Sequence, residues 1–242
     1  MLYTTRGIVI HPIRYGDSSL IVKILTEQFG LKSYIFKGVF KARSKNPASL
    51  FQHLNLIELV SDEREYGGLQ HPREVRMEMP YHSMHTDILK SSVCLFINEL
   101  LHHALKHEET DPGLFDFLHH HLARFDQMDR TPPDFHLWMT VHLSKFLGFF
   151  PELPPKGIWR FDLREGWFTE NNSSDREAVM SVACTNYFLS LMEMLPAYDA
   201  ERIGPERPVR DELLNALLYF YRFHIEDFGE VHSHKVLSEI FC

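Results

Sequence analysis

Cysteine is scarce in this chain of 242 residues, and no apolar run approaches the length of a membrane span. The three cysteines, Cys94, Cys184 and Cys242, are widely spaced, a pattern that favours reduced thiols over a disulfide framework. A membrane helix needs about 20 apolar residues, and charged residues interrupt the start of the chain, where a secretion signal would lie. These absences predict a cytoplasmic protein.

Two kinds of catalytic motif are also missing. Nothing in the sequence matches the Gly-x-x-x-x-Gly-Lys-[Ser/Thr] pattern that holds nucleotide phosphates, because Gly30-Leu-Lys-Ser33 lacks the first glycine. The Gly-x-Ser-x-Gly elbow of serine hydrolases is absent as well. The sequence therefore predicts neither of these activities, and we expect no catalytic residue and no cofactor.

Histidine, in contrast, is abundant, and its 16 residues keep one enzymatic alternative open. Glu99, His103 and His107 lie four residues apart, a spacing that puts them on one side of a helix, where zinc could take i, i+4 ligands. More imidazoles lie at 119–121, 232 and 234. The His-Glu-x-x-His base is missing, so we expect structural or solvated histidines. The alternative is a metal-dependent hydrolase that chelators would inactivate.

The formal net charge of -8 argues against nucleic acid if it is taken alone, but the charge is unevenly distributed. Residues 1–60 contain eight Lys and Arg against three acidic residues, whereas the remainder contains 17 against 30. Opposite signs on the two parts predict a basic binding module joined to an acidic body.

Residues 3–79 show the alternating pattern of short β-strands separated by turn signals such as Tyr15-Gly-Asp17 and Phe29-Gly30. Five strands are predicted, near 7–10, 20–25, 34–36, 54–60 and 75–79. Short strands joined in this way predict a five-stranded OB-like β-barrel as a first domain over residues 1–79. Such barrels present a curved face and flanking loops to single strands.

After Pro80 the apolar period changes from two to about 3.6, which predicts an α-helical domain over residues 80–242. Asp111-Pro112 and Thr131-Pro132 are helix starts, since Asp or Thr can cap and Pro suits the first turn. Residues 158–169 alternate like a small β-hairpin inserted among the helices. The remaining predicted helices run over 89–105, 135–147, from a capping box at Ser174–Glu177 toward Leu195, over 208–225 and over 231–241.

Positive charge is concentrated between Lys37 and Lys45, where four cations occur without an acidic residue. Gly38 and the small residues that follow it predict an exposed loop. The rings of Tyr34, Phe36 and Phe40 interleave with these cations, and exposed rings stack on bases while cations neutralise phosphates. The predicted DNA-binding residues are Arg14, Lys23, Lys32, Lys37, Lys41, Arg43 and Lys45.

Several short motifs follow one another in a characteristic order. Near the start these are Gly7-Ile-Val, Arg14-Tyr-Gly-Asp-Ser-Ser-Leu20, Phe29-Gly-Leu31 and Lys37-Gly38. Later motifs are Ile97-Asn-Glu-Leu-Leu101, Leu114-Phe-Asp-Phe-Leu118, His142-Leu-Ser-Lys-Phe-Leu-Gly-Phe149 and Phe161-Asp-Leu with Gly166. Their number and order, over nearly the whole chain, resemble those of the RecO family of bacterial recombination mediators.

This resemblance implies a DNA repair protein that is not an enzyme, with an OB fold that binds single- and double-stranded DNA. It also implies strand annealing and binding to the C-terminal tail of single-stranded-DNA-binding protein. RecR, and in some cases RecF, would be partners in loading RecA, in the nucleoid-associated part of the cytoplasm. The alternative that stays open is a plain OB-type single-strand binder or scaffold, which would coat DNA without accelerating annealing.

The sequence departs from the family pattern at two places. Several relatives carry a four-cysteine zinc site around the hairpin, whereas no cysteine lies between Cys94 and Cys184 here. We expect aromatic packing in place of the metal, by Trp159, Phe161, Trp167 and Phe168.

The second departure concerns the groove that binds the protein tail, on the helix that ends in Leu-Gly-aromatic. The resemblance implies Leu143, Lys145 and Leu147 as partner-binding residues. Trp138 and Met139 occupy positions of the same helix where more basic residues are expected.

Overall fold

A computed structural model describes residues 2–41, 44–62, 68–106, 109–170, 178–194, 198 and 204–241. The chain divides into two compact units, Met1–Gln127 and Met128–Cys242. The predicted fold class is confirmed, since a five-stranded antiparallel sheet is followed by helices and a small hairpin. Among the helices so described, none is long and apolar enough to cross a membrane.

The first unit begins with five strands, β1 Leu2–Tyr15, β2 Ser19–Thr26, β3 Gly30–Phe36, β4 Leu56–Asp62 and β5 Pro72–Met79. They form one sheet in the order β3-β2-β1-β4-β5. Gln70, which precedes β5, forms a parallel bridge with Tyr34 of β3, the strand at the opposite edge of the sheet. The N–H of Ile35 donates to the Gln70 carbonyl (3.0 Å), and the N–H of Gln70 donates to the Ser33 carbonyl (2.8 Å). This bridge brings the two edges together and gives an OB-like barrel.

Alternate side chains of the strands fill the barrel, as the two-residue period of a strand requires. Tyr34 and Phe36 of β3 belong to this core together with Val22 and Ile24 of β2. Phe51, the last residue of the short 3₁₀ helix Ala48–Phe51, also packs into this core, and its ring centre lies 4.3 Å from that of Phe36. The prediction that Tyr34 and Phe36 are exposed stacking rings is therefore wrong, because both face the core.

Two helices complete the first unit, α1 Ile88–Ala104 and α2 Pro112–Gln127. The Asp87 carboxylate caps α1 by accepting the N–H groups of Leu89 (2.8 Å) and Lys90 (3.0 Å). At the predicted Asp-Pro start of α2, Asp111 accepts the N–H of Leu114 at 2.9 Å. Each acid satisfies backbone donors that have no partner in the first turn of a helix.

The Asp126 carboxylate, near the end of α2, organises the turn between β5 and α1. It accepts the backbone N–H groups of His82 (2.7 Å), Ser83 (2.8 Å) and Met84 (2.7 Å). The buried ammonium of Lys90 donates to the Asp126 carbonyl at 2.7 Å. Burial alone would raise the pKa of Asp126, but the three N–H donors and the Lys90 charge outweigh burial and lower that pKa.

The second unit is built around α3 Phe135–Phe146, which is buried from its first residue to Ser144. Two of its polar groups have partners inside the core: Trp138 donates to the Met194 carbonyl (3.0 Å), and the Thr140 carbonyl accepts the Tyr221 hydroxyl (2.7 Å). The other elements of this unit are β6 Trp159–Asp162, β7 Trp167–Glu170, α4 Val182–Met192, α5 Arg207–His224 and α6 His234–Ile240.

The start of α4 differs from the prediction. The expected capping box at Ser174–Glu177 lies outside the described residues, and α4 begins later, at Val182. Its cap is Ser181, whose hydroxyl accepts the N–H of Cys184 at 3.1 Å. The preceding residues are extended, because Met180 N–H donates to the Phe161 carbonyl of the hairpin at 2.9 Å.

The described cysteines, Cys94 and Cys184, are buried free thiols. Burial raises the pKa of Cys94 to about 12 and also raises the pKa of Cys184. Both side chains therefore stay protonated near neutral pH and pack as small apolar groups.

Aromatic rings hold the hairpin, but only part of the expected set takes part. Phe161 is fully buried, with its ring centre 4.9 Å from those of Phe168 and Phe188 and 5.2 Å from that of Phe220. Trp159 is half-buried, and its indole N–H donates to the Pro155 carbonyl at 2.7 Å. Trp167, in contrast, is 57% exposed. Phe161 thus anchors the hairpin to α4 and α5.

Replacing Phe161 with alanine should lower the free energy of unfolding by about 3–5 kcal/mol, because it leaves a cavity among buried rings. Trp167→Ala changes the same hairpin at an exposed position and should cost no more than about 0.5 kcal/mol. Urea titration of both variants measures the difference. Equal losses of stability would show that Phe161 is not the anchor.

Two buried histidines make the stability of the protein sensitive to acid. Burial lowers the pKa of His142 to about 4 and that of His136 to about 3, both below the ordinary value of 6.5. Below about pH 6.5 the unfolded chain takes up protons that the folded chain does not bind, so the free energy of unfolding must fall as the pH drops. This loss continues down to about the folded pKa values.

His142→Gln should flatten the fall in stability between about pH 6.5 and pH 4, because the amide can donate to the Leu191 carbonyl, as His142 Nε2 does at 2.9 Å, but does not titrate. His120→Gln makes the same substitution at an exposed position and serves as the matched control. Thermal unfolding at a series of pH values gives both profiles. A parental slope in His142→Gln would contradict this assignment.

Candidate nucleic-acid interface

The described residues of the segment Lys37–Lys45 follow β3 as a loop with exposed lysines, as the composition predicts, although Val39 is buried. Gly38 has a positive φ of 72°, and the N–H of Lys41 donates back to its carbonyl at 3.2 Å. The side chains of Lys37, Lys41 and Lys45 are exposed, whereas Arg43 lies outside the described residues. The turn therefore presents its cations to solvent.

Arg14, at the end of β1, joins this loop through an aromatic ring. Its guanidinium lies 4.9 Å from the ring centre of Phe40, which is 44% exposed, and it also donates to the Asp17 carbonyl at 3.4 Å. A cation over a ring face is attracted by the π-electrons. We call Arg14, Lys37, Phe40 and Lys41 the basic rim.

Lys23 and Lys32 do not extend the basic rim as a continuous patch. Lys32 is paired with Ile24, whose side chain faces the core, so that Lys32 starts on the inner side of the sheet and Lys23 on the outer side. Lys32 also lies four residues before Phe36, about 13 Å along β3 at the usual rise per residue. The six predicted cations that the structure describes therefore do not form one continuous surface.

Lys23 lies instead beside a pair of stacked histidines. The rings of His11 in β1 and His102 in α1 are 4.1 Å apart and nearly parallel, at 19°. Burial, the neighbouring imidazole and the Lys23 charge lower the pKa of His102 to about 4. Both imidazoles are therefore neutral at pH 7, and the outer face of the barrel gains no charge from them.

The metal-site alternative finds no support in the part of the chain that the structure describes. Within those residues, no group of three His, Cys, Asp or Glu side chains is arranged to hold a metal ion. Of the predicted ligand set, Glu99 and His103 lie on α1, and His107 falls outside the described residues.

The predicted partner-binding residues occupy different environments. Lys145 is exposed and Leu147 is half-buried near the end of α3, but Leu143 is buried. Trp138 and Met139 are buried too. Leu143 cannot contact a partner in this conformation, because its side chain belongs to the core of the second unit. Of these three predicted partner-binding residues, Lys145 and Leu147 are the ones that can contribute to a surface site.

The exposed ring of Tyr15 is not among the predicted DNA-binding residues. Tyr15 is 57% exposed at the end of β1, next to Arg14. In the sequence, Tyr15 lies between Arg14 and Gly16, where a strand ends and a turn begins, and this position indicates an exposed side chain. Tyr15 and Phe40 are therefore the exposed rings nearest in sequence to the cations of the basic rim.

Comparison with known proteins gives matches over nearly the whole chain. The family model described as "Recombination protein O N terminal" matches residues 1–81, and "Recombination protein O C terminal" matches residues 85–233. Curated proteins named DNA repair protein RecO are similar over 100% of both chains. They include those of Christiangramia forsetii at 34% identity, Flavobacterium psychrophilum at 33% and Bacteroides fragilis at 32%.

Proposed function

Since this chain belongs to the RecO family of DNA repair proteins, we propose that it binds single- and double-stranded DNA through the basic rim and anneals complementary strands. Proteins of this family are recombination mediators rather than enzymes. The work of the protein is then to bring two strands together, without making or breaking a covalent bond.

The observation that carries this proposal is the exposed Arg14–Phe40 pair beside Lys37 and Lys41. Lysine and arginine neutralise phosphates and release counterions, while an exposed ring offers a face to a base. Neither interaction depends on sequence, which suits a protein that must act at any damaged site. The local charge also explains how a chain with a net charge of -8 can bind a polyanion.

Charge reversal tests the basic rim directly. In Lys37→Glu/Lys41→Glu, two phosphate contacts are lost, so the plot of log affinity for single strands against log salt should become shallower by about 1.4. Lys156→Glu/Lys235→Glu makes the same change in net charge at exposed positions of the second unit and should keep the parental slope. Identical slopes in all three proteins would show that the basic rim does not contact the phosphates of the strand.

We further propose the protein partners that family membership suggests. These are the C-terminal tail of single-stranded-DNA-binding protein, RecR, and RecA as the protein finally loaded, with RecF in some pathways. Such partners would act on DNA in the nucleoid. The exposed Lys145 and the half-buried Leu147 support a tail site at the end of α3, since a cation beside an apolar side chain can hold a peptide.

Lys145→Glu should weaken binding of the tail peptide about tenfold, by replacing attraction with repulsion at the proposed site. Lys156→Glu, an exposed change elsewhere in the same unit, serves as the control. Fluorescence anisotropy of a labelled tail peptide gives both affinities. Unchanged affinity for Lys145→Glu would exclude this end of α3.

Annealing distinguishes a mediator from a plain single-strand binder. Complementary strands coated with the cognate single-stranded-DNA-binding protein should anneal faster in the presence of this chain, and removal of the C-terminal tail from the coating protein should abolish the acceleration. A protein that only coats DNA would leave the annealing rate unchanged.

A further inference from the structure

A cavity of about 500 Å³ lies in the first unit, between the end of the 3₁₀ helix and the outer side of α1. Among the described residues that line it, none is Asp, Glu, Lys or Arg. The lining consists of Phe51, Gln52, His53, His85, Ser91, Ser92, Cys94 and Leu95. An uncharged cavity with apolar and polar walls suits a neutral organic ring.

The backbone has an unusual conformation at Leu54, directly after residues 51–53 of the cavity wall. Leu54 has a φ of 62°, a left-handed conformation that side chains with a Cβ rarely adopt. Its N–H donates to the Val9 carbonyl at 2.7 Å, and its carbonyl accepts the Tyr81 hydroxyl at 2.8 Å. Such conformations persist where the surroundings fix them and occur often at binding sites.

The hydrogen bonds of His85 determine which of its nitrogens carries the proton. Asn55 uses its amide N–H groups on the carbonyls of Ser49 (2.9 Å) and Leu50 (3.1 Å), so its Oδ1 faces Nε2 of His85 at 2.8 Å. That oxygen can only accept, and Nε2 of His85 therefore donates. Burial lowers the pKa of His85, so the ring is neutral at pH 7 and Nδ1 keeps its lone pair.

The same reasoning determines which ring nitrogen of His53 carries the proton. Its Nδ1 lies 3.4 Å from the Ile10 carbonyl, which can only accept, so Nδ1 donates and the lone pair of a neutral ring is on Nε2. The hydroxyls of Ser91 and Ser92 both donate to the Ile88 carbonyl, at 3.1 and 2.7 Å, and their oxygens remain acceptors. Gln52 can donate or accept through its amide, whereas the ring nitrogens and hydroxyl oxygens above are acceptors. Acceptors therefore predominate in the polar lining, which favours a ligand that supplies donors.

We propose that this cavity receives a nucleobase with an exocyclic amino group, from a single strand held on the basic rim. Cytosine, adenine and guanine present amino donors, whereas thymine and uracil present carbonyl oxygens at the corresponding edge. Phe51 and Leu95 supply apolar contact for the ring. This inference rests on the proposed DNA-binding function and adds a base preference to it.

The cavity is within reach of a strand on the basic rim. Phe51 follows Lys41 of the basic rim by ten residues, which span at most about 36 Å of extended chain. Ile10, which binds His53, precedes Arg14 by four residues of β1, or about 13 Å. These spans correspond to a few nucleotides, and OB folds cover about 4–16 nucleotides.

A positively charged side chain of a protein partner is the competing occupant, because it also supplies donors. Within the part of the chain that the structure describes, the cavity lining offers no carboxylate to such a cation. Moving a cation from water to an uncharged site is costly without a countercharge. An amino-bearing base brings the same donors without a net charge, so the lining favours the base.

The test compares oligo(dC) with oligo(dU) of equal length, at pH 7.5 and fixed salt, by fluorescence anisotropy. The two bases differ at the C4 substituent and at the N3 proton, so the parental protein should bind oligo(dC) at least about fivefold more tightly. Leu95→Trp, which fills the cavity, should abolish this preference and keep the salt dependence. Ile88→Trp, at a 71% exposed position of the same helix outside the lining, should retain the preference.

Gln52→Trp fills the cavity from the opposite wall and provides a second variant if Leu95→Trp does not fold. Equal parental affinities for the two oligonucleotides, or a preference that survives cavity filling, would overturn the proposal. If cavity filling instead weakens binding to RecR, while the parental affinities for the oligonucleotides are equal, the cavity contacts a protein. Failure of the parental protein to bind either oligonucleotide would reject the proposed function together with this inference.

Discussion

The first unit depends on the Asp126 carboxylate and the three backbone N–H groups that it accepts. These bonds fix the turn from which His85 emerges, and His85 in turn orients Asn55. Asn55 holds the carbonyls of the 3₁₀ helix that follows the basic loop. These contacts link the end of α2 to the 3₁₀ helix through a series of short hydrogen bonds.

Much of this fold follows from local chemistry in the sequence. Alternation and turn glycines predict all five strands, and Asp111-Pro112 marks the start of α2 correctly. The side on which a residue lies is harder to predict. A period of two places Tyr34 and Phe36 together but does not say whether that side faces the core, and tertiary contact with Phe51 decides the matter.

The same limit applies to the candidate site. The concentration of charge around Lys37 is visible in the sequence, whereas the separation of Lys23 from Lys32 depends on strand register. Leu143 fits an exposed groove by motif, yet α3 is buried over most of its length because helices pack on several sides of it. The cavity beside α1 could not be predicted, since it joins residues from 51–53, 85 and 91–95.

The aromatic anchor of the hairpin bears on when this protein is needed. A hairpin tied by cysteine thiolates and zinc would be damaged by the same oxidants that break DNA, and it would compete with other proteins for metal. Here Phe161, Phe188 and Phe220 form the attachment, and benzene rings neither chelate nor exchange disulfides. The attachment that these rings make therefore needs neither a thiol nor a metal ion, so cysteine oxidation or zinc limitation would leave it in place.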